Sequence, residues 1–216
     1  LTGEKFRNVR LMGRGVDTVL YDPARRSETL RLAWGAGPET PVAVYVGRIA
    51  GEKNIPLAID AMLEMRRSLP DLKIVLVGDG PMRSKLEAEH PDFVFAGMRR
   101  GEDLATHYAS ADIFIFASTT ETFGNVVTEA MASGLPVLAY DYAAPARYLK
   151  GGNAGRLAPF DDAAAFIREA GNLATEAASW REMGARARQV ALGISWDAVL
   201  DAYLSDIATA VEVRQR

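Results

Sequence analysis

Two short stretches of this 216-residue sequence carry residues whose types and spacing could do chemistry. The first, Gly47-Arg48-Ile49-Ala50-Gly51-Glu52-Lys53, sets two cations five residues apart directly after an apolar run. Arg48 offers a planar fork and Lys53 a mobile point charge, a pairing that fits a diphosphate at about 1.5–3 kcal/mol per charge-assisted hydrogen bond. The second stretch runs from Ser118 to Glu129, Ser-Thr-Thr-Glu-Thr-Phe-Gly-Asn-Val-Val-Thr-Glu. Glu121 precedes a predicted helix, and Glu129 lies one turn inside it, four residues after Asn125 and on the same face. The two carboxylates can therefore flank one ligand. Gly124 lets backbone come close, the N–H groups of Phe123 to Val126 can point at phosphate oxygens, and Glu129 suits a ribose diol.

Taken singly, Arg48 and Lys53 read as solvated surface charges, Glu121 as a surface acid, and Glu129 as a favourable charge near a helix start. What separates the readings is whether the fold brings both stretches to one place. From residue 41 onward, short β-branched runs alternate with segments of helical period, the pattern of a parallel sheet covered on both faces. Strands are predicted at 42–46, 73–77, 93–95, 113–116, 136–140 and 155–157. Helices are predicted between them, with Asp103 and one of Asp161 and Asp162 as caps and Gly134 as a left-handed stop. Two further helices cover about 177–192 and 195–213. The loop 141–147 carries no predicted helix. In such α/β sheets ligands bind outside the carboxyl ends of the strands, and both stretches are loops of that kind.

Composition excludes several alternatives. Zero cysteines rule out disulfides, thiolate zinc sites and cysteine nucleophiles, and His90 and His107, the only histidines, cannot make a three-histidine metal site. A net charge of -3 with interspersed signs gives no basic surface for nucleic acid. No apolar run reaches the roughly eighteen residues a membrane helix needs, and the opening is no signal peptide. We expect a cytoplasmic location, with contact at the inner face of a membrane left open. The apolar content of 49% supplies a core without staples.

In order, the chain presents Gly-Arg followed by Lys, then Gly78-Asp79-Gly80-Pro81, then Glu-x-Phe-Gly-x-Val-x-x-Glu-Ala-Met-Ala-x-Gly-x-Pro-Val from Glu121 to Val137. This combination resembles the donor-binding half of family 4 glycosyltransferases, which have the GT-B fold, and the likeness runs over essentially the whole chain. The resemblance implies a Rossmann-like doubly wound parallel sheet of about six strands at 41–193, preceded by an interdomain connector and leading helix at 1–40. It implies that the helix at 194–216 returns toward an N-terminal half that binds the acceptor. Arg48 and Lys53 would bind the donor diphosphate, and Glu121 would face the donor sugar. Thr122, Phe123, Gly124, Asn125 and Val126 would border the phosphates, and Glu129 would hold the ribose. Gly47 would line the diphosphate loop, and Gly97, Met98 and Arg99 the base. The implied reaction moves a glycosyl group from a UDP-, GDP- or ADP-sugar with retention, without cofactor or obligatory metal. Many relatives carry Gly-Gly-x-x-Glu where this chain has Asp141-Tyr142-Ala143-Ala144-Pro145-Ala146-Arg147, which puts acceptor- or sugar-side contacts from that loop in doubt.

Three other readings compete. An NAD-type module is prompted by Gly78-Asp79-Gly80, but Arg83 replaces the third fingerprint glycine and no acid ends the following strand. Those glycines read more simply as a tight turn. A sugar-nucleotide epimerase of the same fold and a non-catalytic nucleotide-binding domain are the others.

Overall fold

The computed structural model describes residues 13–120, 124–151 and 153–214. Its elements run α1 (Glu28–Ala33), β1 (Val42–Val46), α2 (Ile55–Ser68), β2 (Lys73–Val77), α3 (Arg83–Glu89), β3 (Val94–Gly97), α4 (Gly101–Ala109) and β4 (Ile113–Phe116). They continue with α5 (Asn125–Ala132), β5 (Val137–Tyr140), α6 (Ala143–Leu149), β6 (Gly155–Ala158), α7 (Ala163–Thr175), α8 (Trp180–Leu192) and α9 (Trp196–Arg214). The six strands form one sheet in the order β3-β2-β1-β4-β5-β6, every pair parallel.

The central strands β1, β4 and β5 are apolar and buried along their whole length because both faces are covered, whereas β2 opens on Lys73 and the edge strand β6 carries Arg156. Alternation sorts them cleanly: Ala43, Tyr45, Ile74, Leu76, Ile113, Ile115, Leu138 and Tyr140 join α2, α3 and α7 in one core. Val42, Val44, Val46, Val75, Val77, Phe114, Phe116, Val137 and Ala139 join α4 and α5 in the other. The stretch ahead of β1 packs into this second core through Val16, Tyr21, Trp34 and Ala36.

Arg31 fastens that stretch. Its side chain is wholly buried, and it donates to Asp112 Oδ2 at 3.1 Å and to the carbonyls of Ser110 (2.7 Å), Gly37 (3.0 Å) and Thr40 (2.6 Å). Arg188 of α8 makes a second clamp, donating to the Tyr21, Thr18 and Ala132 carbonyls and to Asp22 at 2.6 Å.

Two local expectations are corrected. Asp103 does not cap α4: Gly101, with φ at +54°, turns the chain into the helix two residues earlier, and the Asp103 carboxylate pairs with Arg99 at 3.1 Å. Residues 143–149 form helix α6, not a loop, because Pro145 sits in the first turn where no N–H is required. Elsewhere Asp162 is the cap of α7, accepting from Ala165 N at 2.9 Å, and Gly134 takes a φ of +77° just past α5.

Candidate functional site

The strand order reverses between β1 and β4, so the chain leaves the sheet in opposite directions from these two neighbours. Such a switch point leaves a crevice at the carboxyl ends, because the connections on its two sides diverge. The two stretches singled out in the sequence are the loops that follow β1 and β4. They touch: Thr120 donates its hydroxyl to the Glu52 carbonyl at 3.2 Å.

The β1 loop is rigidly held. Tyr45 donates to the Arg48 carbonyl at 3.0 Å, Ile49 N donates to Asp79 O at 2.9 Å, and Gly47 N donates to Val77 O at 3.0 Å. Gly78 and Gly80 permit this approach. A Cβ on Gly78 would lie 1.9 Å from the Gly47 carbonyl oxygen, and one on Gly80 would lie 2.3 Å from that of Ile49. The Gly-Asp-Gly sequence therefore serves to seat the β2 loop against the β1 loop, the simpler of its two sequence readings.

Gly47, Arg48, Met98 and Arg99 meet around a cleft of about 480 Å³, together with Val46, Val77, Gly78, Asp79, Gly80 and Leu104. Met98 is exposed, and Gly97 ends β3 with a φ of +74°. Arg99 donates to the Ala96 carbonyl at 2.9 Å, which fixes the loop's shape. The Arg48 side chain is 65% exposed and its guanidinium is held by Glu52 at 3.1 Å. An exposed pair of this kind is worth about 1 kcal/mol at most, so a diphosphate can displace it. Lys53 lies half-buried at the end of a short 3-10 turn, Gly51–Lys53, before α2.

Gly124 caps α5 with a φ of +61°, and a side chain there would strike Ala144 at 2.6 Å. The helix missed in the sequence thus closes down on the start of α5. Asn125 and Val126 form the first turn and are half-buried. Glu121, Thr122 and Phe123 lie outside the described residues. Glu129 is partly buried and accepts from the Tyr108 hydroxyl at 3.0 Å. Burial pushes its carboxyl above the usual range, whereas hydrogen bonds from Tyr108 and Tyr21 and the charge of Arg14 pull it back. Tyr21, Tyr45 and Tyr108 escaped the sequence reading; the only signal was a phenol placed on an otherwise apolar face.

A larger cleft, about 780 Å³, opens at the amino-terminal end of the strands beside Arg26, Asp112, Trp180 and Arg188. Two of its cations are committed: Arg26 pairs with Asp112, and Arg188 with Asp22. Among the described residues, no three His, Cys, Asp or Glu side chains gather as a metal site, and no helix is long and apolar enough to cross a membrane.

Comparison with known proteins bears on the fold and the family. The chain is 35% identical over 204 residues to a GDP-mannose-dependent alpha-mannosyltransferase of Mycobacterium tuberculosis, covering 94% of this chain and 52% of that protein. It is 41% identical over 134 residues to a sulfoquinovosyl transferase of Arabidopsis thaliana, 61% of this chain and 26% of that one. Among solved structures, sucrose-phosphate synthase from Thermosynechococcus elongatus superposes with a TM-score of 0.75 at 25% identity, over 94% of this chain and 53% of its own. The chain spans about half the length of the mannosyltransferase it matches. The family model described as Glycosyl transferases group 1 matches residues 40–176, most of the described sheet and its helices, and the chain belongs to that family.

Proposed function

We propose that the chain is the nucleotide-sugar-binding half of a retaining family 4 glycosyltransferase of the GT-B type. The observation that carries the reading is the meeting of the Arg48–Lys53 loop and the β4 loop at the one point where the strand order reverses. A cleft of about 480 Å³ beside it lies within the size range of small-molecule sites.

In glycosyl transfer the anomeric carbon gains positive charge while the departing diphosphate gains negative charge, so fixed cations at the latter lower the barrier. Arg48 and Lys53 fill that role here. The first turn of α5 directs backbone N–H groups at the phosphates, Glu121 faces the sugar, and Glu129 accepts from the ribose. The backbone of Gly97, Met98 and Arg99 borders the base. Retention proceeds by attack of the acceptor hydroxyl on the face the diphosphate leaves, with no carboxylate nucleophile, cofactor or obligatory metal.

The acceptor belongs to an N-terminal half, reached through residues 1–40 and by α9 at the other end. In support, Trp196, Leu200, Tyr203, Leu204 and Ile207 recur along α9 and are all exposed. By itself the chain then binds donor and turns over little or none. A thermal-shift panel of GDP, UDP, ADP and their sugars tests the reading, because a ligand that binds only the folded chain raises its melting point. GDP heads the panel, given the GDP-mannose-dependent relative. No shift with any nucleoside diphosphate at millimolar concentration would end the proposal.

A further inference from the structure

Tyr108 poses a chemical question that the fold alone does not answer. Its ring is wholly buried in the core of the α4 and α5 face, edge-on to Tyr21 at 5.7 Å and against Phe114 at 5.8 Å. A phenylalanine would fill that space without bringing a hydroxyl out of water, a step that costs free energy unless the group is hydrogen-bonded. The hydroxyl's partner is Glu129 Oε2, 3.0 Å away on the neighbouring helix.

We infer that Tyr108, supported by Tyr21, is a positioning residue that fixes the Glu129 carboxylate for the two hydroxyls of a ribose. The inference rests on the donor-binding reading of Glu129 and deepens it. A carboxylate has about four acceptor positions. A glutamate whose rotation is free must lose that freedom when it grips a diol, whereas one already tied at Oε2 presents its remaining positions ready-made. Burial and the neighbouring Glu129 charge raise the Tyr108 hydroxyl well above its ordinary range, so it stays protonated and donates. Tyr21, edge-on to Tyr108 at 5.7 Å, brings a second phenol toward the same carboxylate from outside the sheet. Arg188 holds the Tyr21 carbonyl at 2.7 Å, so the stretch that precedes the sheet reaches into the ribose subsite through a fixed segment.

The test compares the affinity of the chain for GDP and UDP with that for their 2′,3′-dideoxy forms, by calorimetry, in the unsubstituted chain and in Tyr108→Phe, Tyr21→Phe and Glu129→Ala. The unsubstituted chain should prefer the ribonucleotide about tenfold or more, and Glu129→Ala should remove the preference. Tyr108→Phe should cut the preference about threefold or more while leaving the dideoxy affinity unchanged, with a smaller effect from Tyr21→Phe. Phenylalanine keeps the ring, and a melting curve confirms each fold. If both nucleotides weaken alike in Tyr108→Phe, the tyrosine is structural only and the inference falls. An unchanged preference in both tyrosine variants also overturns it. Failure of the unsubstituted chain to bind any of the four nucleotides would instead remove the donor-binding reading, and the inference with it.

Discussion

Gly78 approaches Gly47 so closely that a Cβ on the former would stand 1.9 Å from the carbonyl oxygen of the latter. The turn after β2 is therefore pressed onto the loop that carries Arg48, and Gly78 adopts a φ of +141° to do so. Gly78→Ala should destabilise the chain by about 3 kcal/mol or more, combining overpacking against backbone with an unfavourable φ. Urea unfolding measures it. A loss below about 1 kcal/mol would mean that the two loops separate readily.

Glu52 competes with any ligand for Arg48. Arg48→Ala and Lys53→Ala should each weaken nucleoside diphosphate binding by about 1–2 kcal/mol, the lower part of the charge-assisted range because Arg48 is exposed. Glu52→Gln should act oppositely, leaving affinity unchanged or tighter, with almost no change in stability. Calorimetry on the three variants checks the signs, and weaker binding in Glu52→Gln would contradict the diphosphate assignment.

Arg31 shows what holds the segment ahead of β1. Its removal leaves the Ser110 and Thr40 carbonyls without their guanidinium donor and takes from Asp112 one of two arginines, Arg26 remaining at 3.0 Å, so Arg31→Ala should cost about 3 kcal/mol. Arg31→Lys should rescue little, since one ammonium cannot reach four acceptors spread over a guanidinium's width. Chemical denaturation of both variants measures this.

His107 sets a pH dependence. It is buried, its Nδ1 lies 2.7 Å from the Asp103 carbonyl, and burial lowers its imidazole below the usual range, with Asp103 partly offsetting this. The unfolded chain takes up the proton first as pH falls through about 6.5. This contribution to stability is therefore full above that value and is lost progressively below it. Melting curves between pH 7.5 and 5 should show a decline on acidification that is shallower in His107→Gln; equal slopes would remove the argument.

The sheet was readable because its central strands are short apolar runs, β-branched in β1, β2 and β4, bounded by glycine, proline or a polar turn, and because burial on both faces leaves no polar alternation to confuse the period. Helix α6 was not, since Pro145 so soon after β5 reads as a turn, despite the helix-favouring Ala143, Ala144 and Ala146, until Ala144 is seen packed on Gly124. That Arg48 and Lys53 lie in the loop after β1, and Glu129 within α5 after β4, followed from their order along the chain. Tyr108 and Tyr21 did not, because their tie to Glu129 is made only when α4, α5 and the leading segment come together. Nor does sequence spacing reveal that Asp103 serves Arg99 rather than a helix start.

The most direct measurement is a crystal structure of the chain with GDP or UDP bound. The diphosphate should lie between Arg48, Lys53 and the first turn of α5, with the base against Gly97–Arg99 and the ribose hydroxyls on Glu129. A nucleotide found instead in the cleft beside Trp180 and Arg188, at the opposite end of the strands, would contradict the account.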